Sequence, residues 1–77
     1  MNDREQIAKN VKTLRVHSNL SQKELAISLN FNTKRIDSIE RGVAKITIDE
    51  VVAMCYLFKV NIDDFLTKKV VIKVNFE

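Results

Sequence analysis

The chain has 77 residues, which suffices for one small domain with a single core. It is 45% apolar and 30% charged, with one glycine and no proline, and this composition excludes collagen-like, low-complexity and disordered chains. No apolar run approaches the roughly 20 residues of a membrane span, and the polar start MNDREQ is not a signal peptide. The single cysteine excludes an internal disulfide, so we expect a cytoplasmic protein.

The net charge of +3 is unevenly distributed along the chain. Residues 1–45 carry nine Lys or Arg against five acidic residues, a balance of +4, whereas residues 46–77 carry four against five, a balance of −1. A basic first half suggests an anionic partner at one face. An ordinary solvated helical surface explains the same imbalance, so charge alone leaves both interpretations open.

Helix boundaries are well marked in the sequence. A capping box places Ser, Thr or Asn at the N-cap and Glu or Gln three residues later, so that each side chain accepts a hydrogen bond from a free backbone N–H. The pattern occurs as Asn2-x-x-Glu5, Ser21-x-x-Glu24 and Thr47-x-x-Glu50, with Asn61-x-x-Asp64 as a weaker relative. Asn30 and Gly42 suit the left-handed turns that end helices, and Asn32 suits an N-cap. These signals predict helices at about 3–17, 22–29, 33–41, 48–59 and 62–66.

Apolar residues recur at helical spacing in each predicted helix, which indicates a five-helix, all-α domain. Cys55 lies on an apolar face and is expected in the core, while Met54 and Tyr56 are expected at the edge of the core or at a subunit interface. His17 has no metal-ligand neighbour in sequence, so we expect no metal site and no cofactor. The predicted core positions are Ile7, Val11, Leu14, Leu25, Ala26, Leu29, Ile36, Ile39, Ile48, Val51, Val52, Cys55, Phe58, Ile62, Phe65 and Leu66.

The segment 70–76 has the alternation of a β-strand. Val70, Ile72, Val74 and Phe76 fall on one face, and Val71, Lys73 and Asn75 fall on the other. A single strand leaves its backbone groups unpaired, so we expect it to pair with the same strand of a second copy about a two-fold axis. A frayed tail, or a stretch that lies against its own helices, is the alternative.

The third predicted helix has a polar stripe opposite its two buried isoleucines. At 100° per residue, Lys34, Ser38 and Arg41 project away from Ile36 and Ile39, with Asp37 and Thr33 beside them. Nine residues make a helix about 13 Å long, which suits a major groove about 12 Å wide. By itself, however, the stripe also fits the solvated face of an ordinary amphipathic helix.

The surrounding residues resemble the Cro/cI-type (XRE-like) helix-turn-helix family. The similarity spans roughly residues 5–66, with Asn30 where glycine is commonest in the turn and Ile46-Thr47 where a proline often precedes the fourth helix. The residues that carry it are Ser21-Gln22-x-x-Leu25-Ala26, Ile36-x-x-Ile39-Glu40-Arg41-Gly42, Ile48-Asp49-Glu50-Val51-Val52 and Val60-Asn61-Ile62-Asp63-Asp64-Phe65-Leu66.

This resemblance implies a lambda-repressor-like domain at 1–67 and a dimerisation arm at 68–77. It implies base contacts from Thr33, Lys34, Asp37 and Ser38. It further implies phosphate contacts from Gln22, Asn32, Arg35, Arg41 and Lys45. Arg15 and Glu40 match the family's structural ion pair.

The resemblance implies a sequence-specific regulator of double-stranded DNA, foremost a homodimeric repressor of phage or mobile-element type on a palindromic operator. The alternatives are an antitoxin or protein-interaction module of the same fold, or a restriction–modification controller. No catalytic grouping stands out, so we expect no enzyme, and no small-molecule ligand or membrane partner is evident.

Overall fold

The computed structural model describes residues 3–67, and these form five helices joined by short turns. All five predicted helices are confirmed, each with bounds within one residue of the expectation. The predicted strand and the Asn2 capping box lie outside the described residues. Within residues 3–67, no helix has the length and apolar character needed to cross a membrane. The helices are α1 Asp3–His17, α2 Gln22–Leu29, α3 Thr33–Glu40, α4 Ile48–Phe58 and α5 Ile62–Thr67.

Helices α2 and α4 begin with complete capping boxes. The Ser21 hydroxyl accepts a hydrogen bond from the Glu24 N–H at 3.0 Å, and the Ser21 N–H donates to the Glu24 carboxylate at 2.8 Å. Thr47 and Glu50 repeat this exchange at 3.2 and 2.8 Å. Because free N–H groups are satisfied within four residues of chain, each helix start is defined by local sequence.

The turns between helices use left-handed residues. Asn30, which ends α2, has φ 59°, and Gly42, which follows α3, has φ 74°. Lys59 ends α4 with φ 58° although its side chain gives no preference for that conformation. The Asn32 side chain accepts the Lys34 N–H at 2.7 Å and so caps α3.

The core lies between the five helices of residues 3–67: α3 packs against α1 and α2, and α5 packs against α1 and α4 around the fully buried Phe65. The polar side chain of Asn10 is buried there: its amide donates to the Phe65 carbonyl at 2.9 Å and its oxygen accepts from Gln6 at 3.1 Å. This bond ties α5 to α1. The buried apolar residues are Ile7, Ala8, Val11, Leu14, Leu25, Ala26, Ile36, Ile39, Val51, Met54, Cys55 and Phe65.

Helix α4 differs from the prediction in the face that it buries. Met54 is fully buried rather than at the edge, whereas Ile48 and Val52 are exposed. Ile62 of α5, also a predicted core position, is exposed as well. Because α4 is apolar around most of its circumference, its periodicity does not select one face, and the neighbouring helices decide it.

Candidate nucleic-acid interface

Helix α3 presents its polar stripe to solvent because its other face is anchored in the core. Ile36 and Ile39 are fully buried, which sets the rotation of the helix about its axis. Thr33, Lys34 and Arg41 are exposed, and Asp37 and Ser38 are half-buried beside them. The helix and its C-cap therefore offer two cations, two hydroxyls and a carboxylate within one short surface.

A buried ion pair holds the end of α3 against α1. The Arg15 guanidinium donates to both Glu40 carboxylate oxygens, through Nε at 2.6 Å and Nη2 at 3.1 Å, and through Nη1 to the Leu20 carbonyl at 2.7 Å. The Arg15 side chain is 12% exposed and that of Glu40 only 4%. This bidentate geometry fixes the carboxyl end of α3 relative to the rest of the domain.

Gln22 links the start of α2 to the same network. Its side-chain nitrogen donates to Glu40 Oε1 at 3.2 Å and to Asp37 Oδ1 at 3.4 Å. The other Asp37 oxygen lies 3.5 Å from Arg41 Nη1. Asp37 is thus held between a neutral amide and a cation, so its carboxylate has a defined orientation on the exposed side of α3.

A second ion pair shapes the loop between α3 and α4. Arg35 donates to both Glu50 oxygens, at 2.6 and 2.7 Å, and to the Lys45 carbonyl at 2.7 Å. The hydrogen bonds from Arg35, and to a lesser degree the one from the Thr47 N–H, hold the pKa of the Glu50 carboxyl below its ordinary value. Partial burial of the carboxyl opposes this effect. Arg35 therefore fixes the backbone of the loop at Lys45.

The loop turns back on α3 immediately after Gly42. The Gly42 N–H donates to the Ile39 carbonyl at 3.0 Å, and the N–H groups of Val43 and Ala44 donate to the Ser38 carbonyl at 3.1 and 3.2 Å. A left-handed residue at 42 makes this reversal possible. Lys45 follows this turn and is exposed. Its backbone is held by the bonds of Val43 and Ala44 before it and by the Arg35 bond to its own carbonyl.

The structure brings most of the predicted site residues onto α3, its N-cap and the adjoining loop. Asn32 and Lys45 are exposed at the two ends of the stripe, and Gln22 is half-buried where α2 meets α3. Arg35 differs from the others: its guanidinium is engaged by Glu50 and its side chain is only 32% exposed. Within the chain, Arg35 therefore positions the loop at Lys45, and its phosphate contact stays a prediction.

Two contacts of this surface were missed from the sequence. Glu50 was recognised only as half of a capping box, and nothing local shows that it also binds Arg35, 15 residues away. The side chain of Gln22 was expected to face a phosphate, and its bond to Glu40 spans 18 residues.

A Helix-turn-helix family model matches residues 11–65, from the middle of α1 into α5. The chain belongs to the Cro/cI-type helix-turn-helix family. Members of this family are DNA-binding transcription regulators, generally without enzymatic activity, and this helix-turn-helix protein is accordingly a DNA-binding transcription regulator.

The solved structures that this helix-turn-helix domain resembles include the clp gene regulator ClgR from Corynebacterium glutamicum. The TM-score is 0.75 and the sequence identity 19%, over 83% of this chain and 68% of that chain. At this identity the likeness establishes the fold alone. No curated protein sequence matches the chain significantly.

Proposed function

We propose that this helix-turn-helix protein recognises a palindromic operator in double-stranded DNA as a homodimer and represses transcription there. The observation that supports this most directly is the polar stripe of α3, which is exposed while Ile36, Ile39 and the Arg15–Glu40 pair hold the helix rigidly behind it. A rigid helix with short polar groups at its start suits insertion into a major groove.

Base recognition is assigned to Thr33, Lys34, Asp37 and Ser38. Lys34 is a donor suited to guanine N7 and O6, Asp37 an acceptor suited to the cytosine amino group, and the two hydroxyls suit several base edges. The bonds that Asp37 makes to Gln22 and Arg41 orient its carboxylate before DNA is bound. A pre-oriented acceptor loses less conformational freedom on binding, which favours selectivity.

Phosphate contacts are assigned to Asn32, Arg41 and Lys45, which flank the stripe, and to the amino-terminal end of α2 at Gln22. The Gln22 amide nitrogen is already engaged by Glu40 and Asp37, so its backbone N–H is the better phosphate donor. Such contacts set the position of the domain on the duplex and supply affinity, without selecting a sequence.

The division into a DNA-binding domain at 1–67 and a pairing strand at 68–77 completes the proposal. Two copies related by a two-fold axis would place their α3 helices about 34 Å apart, one turn of duplex. Pairing of residues 70–76 with the same segment of a second copy would supply that axis.

In vitro selection of bound duplexes from a random pool, with sizing of the complex, tests the proposal. We expect inverted half-sites about one helical turn apart and a stoichiometry of two chains per duplex. Selection of single, unsymmetrical sites by one chain would contradict the homodimer. Failure to enrich any sequence would instead favour the protein-interaction alternative.

The base-contacting assignment has its own test in Lys34→Ala. On the selected operator this variant is expected to lose discrimination at one base pair, by about 1–3 kcal/mol. Lys9→Ala is the matched control, because Lys9 is an exposed lysine of α1 paired with Glu5. Equal base preference in wild type and Lys34→Ala would refute this role.

A further inference from the structure

An apolar groove opens next to the point where the described chain ends. It has a volume of about 350 Å³ and is walled by α1, the loop before α4, α4 itself and the last turn of α5. Ile7, Ile39 and Val51 form its buried floor. Ile48, at its mouth, is 72% exposed.

The described chain ends at the groove itself. Leu66 is one of the groove residues, and α5 ends at Thr67. Val70 is four residues beyond Leu66, a distance that an extended chain covers in about 13 Å. The next apolar side chains available in sequence are therefore those of the segment 70–76, and they begin within reach of Ile48.

The segment 70–76 needs an apolar surface. Val70, Ile72, Val74 and Phe76 alternate with Val71, Lys73 and Asn75, so one face of an extended chain is wholly apolar. Backbone pairing with a second copy satisfies the edge of this strand but leaves that face in water. A two-stranded ribbon by itself is marginally stable and requires packing against another element.

We propose that the apolar face of residues 70–76 packs into this groove of its own chain, with Val70 and Ile72 against Ile48. This packing uses side chains, whereas pairing with a second copy uses the backbone edge, so the two are compatible. The groove would then hold the pairing strand in a defined orientation relative to α3. Of the residues assigned to DNA, Lys45 also lines this groove. None of the base-contacting residues does, so the proposal stands independently of the assigned base contacts.

Methyl NOE spectroscopy on the full chain tests the contact directly. We expect cross-peaks between the Ile48 δ1 methyl and the methyls of Val70 or Ile72. In a mixture of labelled and unlabelled chains these cross-peaks should persist, because both methyls belong to the same chain. The absence of these cross-peaks, or their presence only between chains, would overturn the proposal. DNA affinity is measured on the same sample, so a failure of operator binding is distinguished from a failure of docking.

A pair of substitutions provides a second test. Ile48→Asn is expected to lower the urea midpoint of the full chain, because a covered apolar side chain would be replaced by an amide. Ile27→Asn is the matched control: Ile27 is 70% exposed on α2, away from the groove, and its substitution should leave the midpoint unchanged. Equal shifts for the two variants would contradict docking.

The second partner of the contact is tested in the same way. Ile72→Asn should lower the midpoint by about as much as Ile48→Asn, and the double variant should fall short of the sum of the two shifts, because both changes remove one contact. Full additivity would show that the two residues do not touch and would overturn the proposal.

Discussion

Two arginines illustrate how one residue type takes different roles in this domain. Arg15 and Arg35 each bind a carboxylate bidentately, but the Arg15–Glu40 pair is buried and the Arg35–Glu50 pair borders solvent. A buried charge that loses its partner destabilises the folded state strongly. An ion pair near solvent adds little stability of its own, so its main effect is to position the backbone that it bonds. The first pair therefore supports the domain and the second supports the loop that carries Lys45.

The Arg15–Glu40 pair predicts a large loss of stability on truncation. Arg15→Met leaves the Glu40 carboxylate buried without its cation, and the free energy of unfolding should fall by about 3–5 kcal/mol. Lys9→Met removes the exposed pair with Glu5 and should change it by no more than about 0.5 kcal/mol. Urea denaturation of both variants measures the difference, and similar losses would contradict the assignment.

The Arg35–Glu50 pair predicts a pH dependence. The folded-state pKa of Glu50 is depressed below its ordinary value of 4.5, so its contribution to stability is present above that value and lost as pH falls through the folded pKa. Glu50→Gln should be less stable than wild type at pH 7, and the difference should shrink below pH 4.5. Urea midpoints measured from pH 7 down to pH 3 check this, and a constant difference would exclude the titration of Glu50 as the cause.

At the level of elements, each helix is delimited by a few local groups, and these groups differ in how well they suit the backbone conformation that they adopt. Asn30 and Lys59 both end helices in the left-handed conformation, with φ of 59° and 58°. Asparagine tolerates this conformation because its side chain bonds locally, whereas lysine has no such compensation. The end of α4 is therefore the less favourable of the two.

Replacing these residues by glycine should reveal the difference. Lys59→Gly is expected to raise the free energy of unfolding by about 0.5–1 kcal/mol, because glycine adopts φ near 60° without steric cost. Asn30→Gly should have a smaller effect. Thermal unfolding of both variants is the measurement, and a larger gain at Asn30 than at Lys59 would contradict this account.

At the scale of the fold described by residues 3–67, the five helices together hold an exposed polar surface on a rigid support. Lys45 comes from the loop before α4, and the stripe from α3, yet the Arg35 bond to the Lys45 carbonyl and the Ser38 bonds to the loop hold them together. A surface fixed in advance binds a duplex without the cost of ordering a loop. We therefore expect Lys45 to contribute to affinity for any DNA sequence.

The dependence of binding on salt tests this expectation. Removing one phosphate contact with Lys45→Ala should make the slope of log K against log salt less negative by about 0.9, while the preferred sequence is retained. Lys9→Ala should leave the slope unchanged. A change of base preference in Lys45→Ala would instead show that this lysine contacts bases in the major groove of the DNA.

The sequence by itself determined the helices, most of their caps and the stripe of α3, because the groups responsible lie within two helical turns of one another. The capping and turn residues act on the backbone next to them, so their effect can be predicted without knowing the fold. They are Ser21 and Glu24, Thr47 and Glu50, Asn30 and Gly42. The tertiary structure alone decided the contacts between distant residues. Asn10 meets the Phe65 carbonyl 55 residues away, and Arg35 meets Glu50, because helix packing brings them together.

The tertiary structure also decided which face of α4 is buried. An almost uniformly apolar helix has no preferred side until its neighbours remove one side from water, and here they covered Met54 and left Ile48 exposed. Pattern therefore established what each segment is, and packing established which of its side chains remain available to bind.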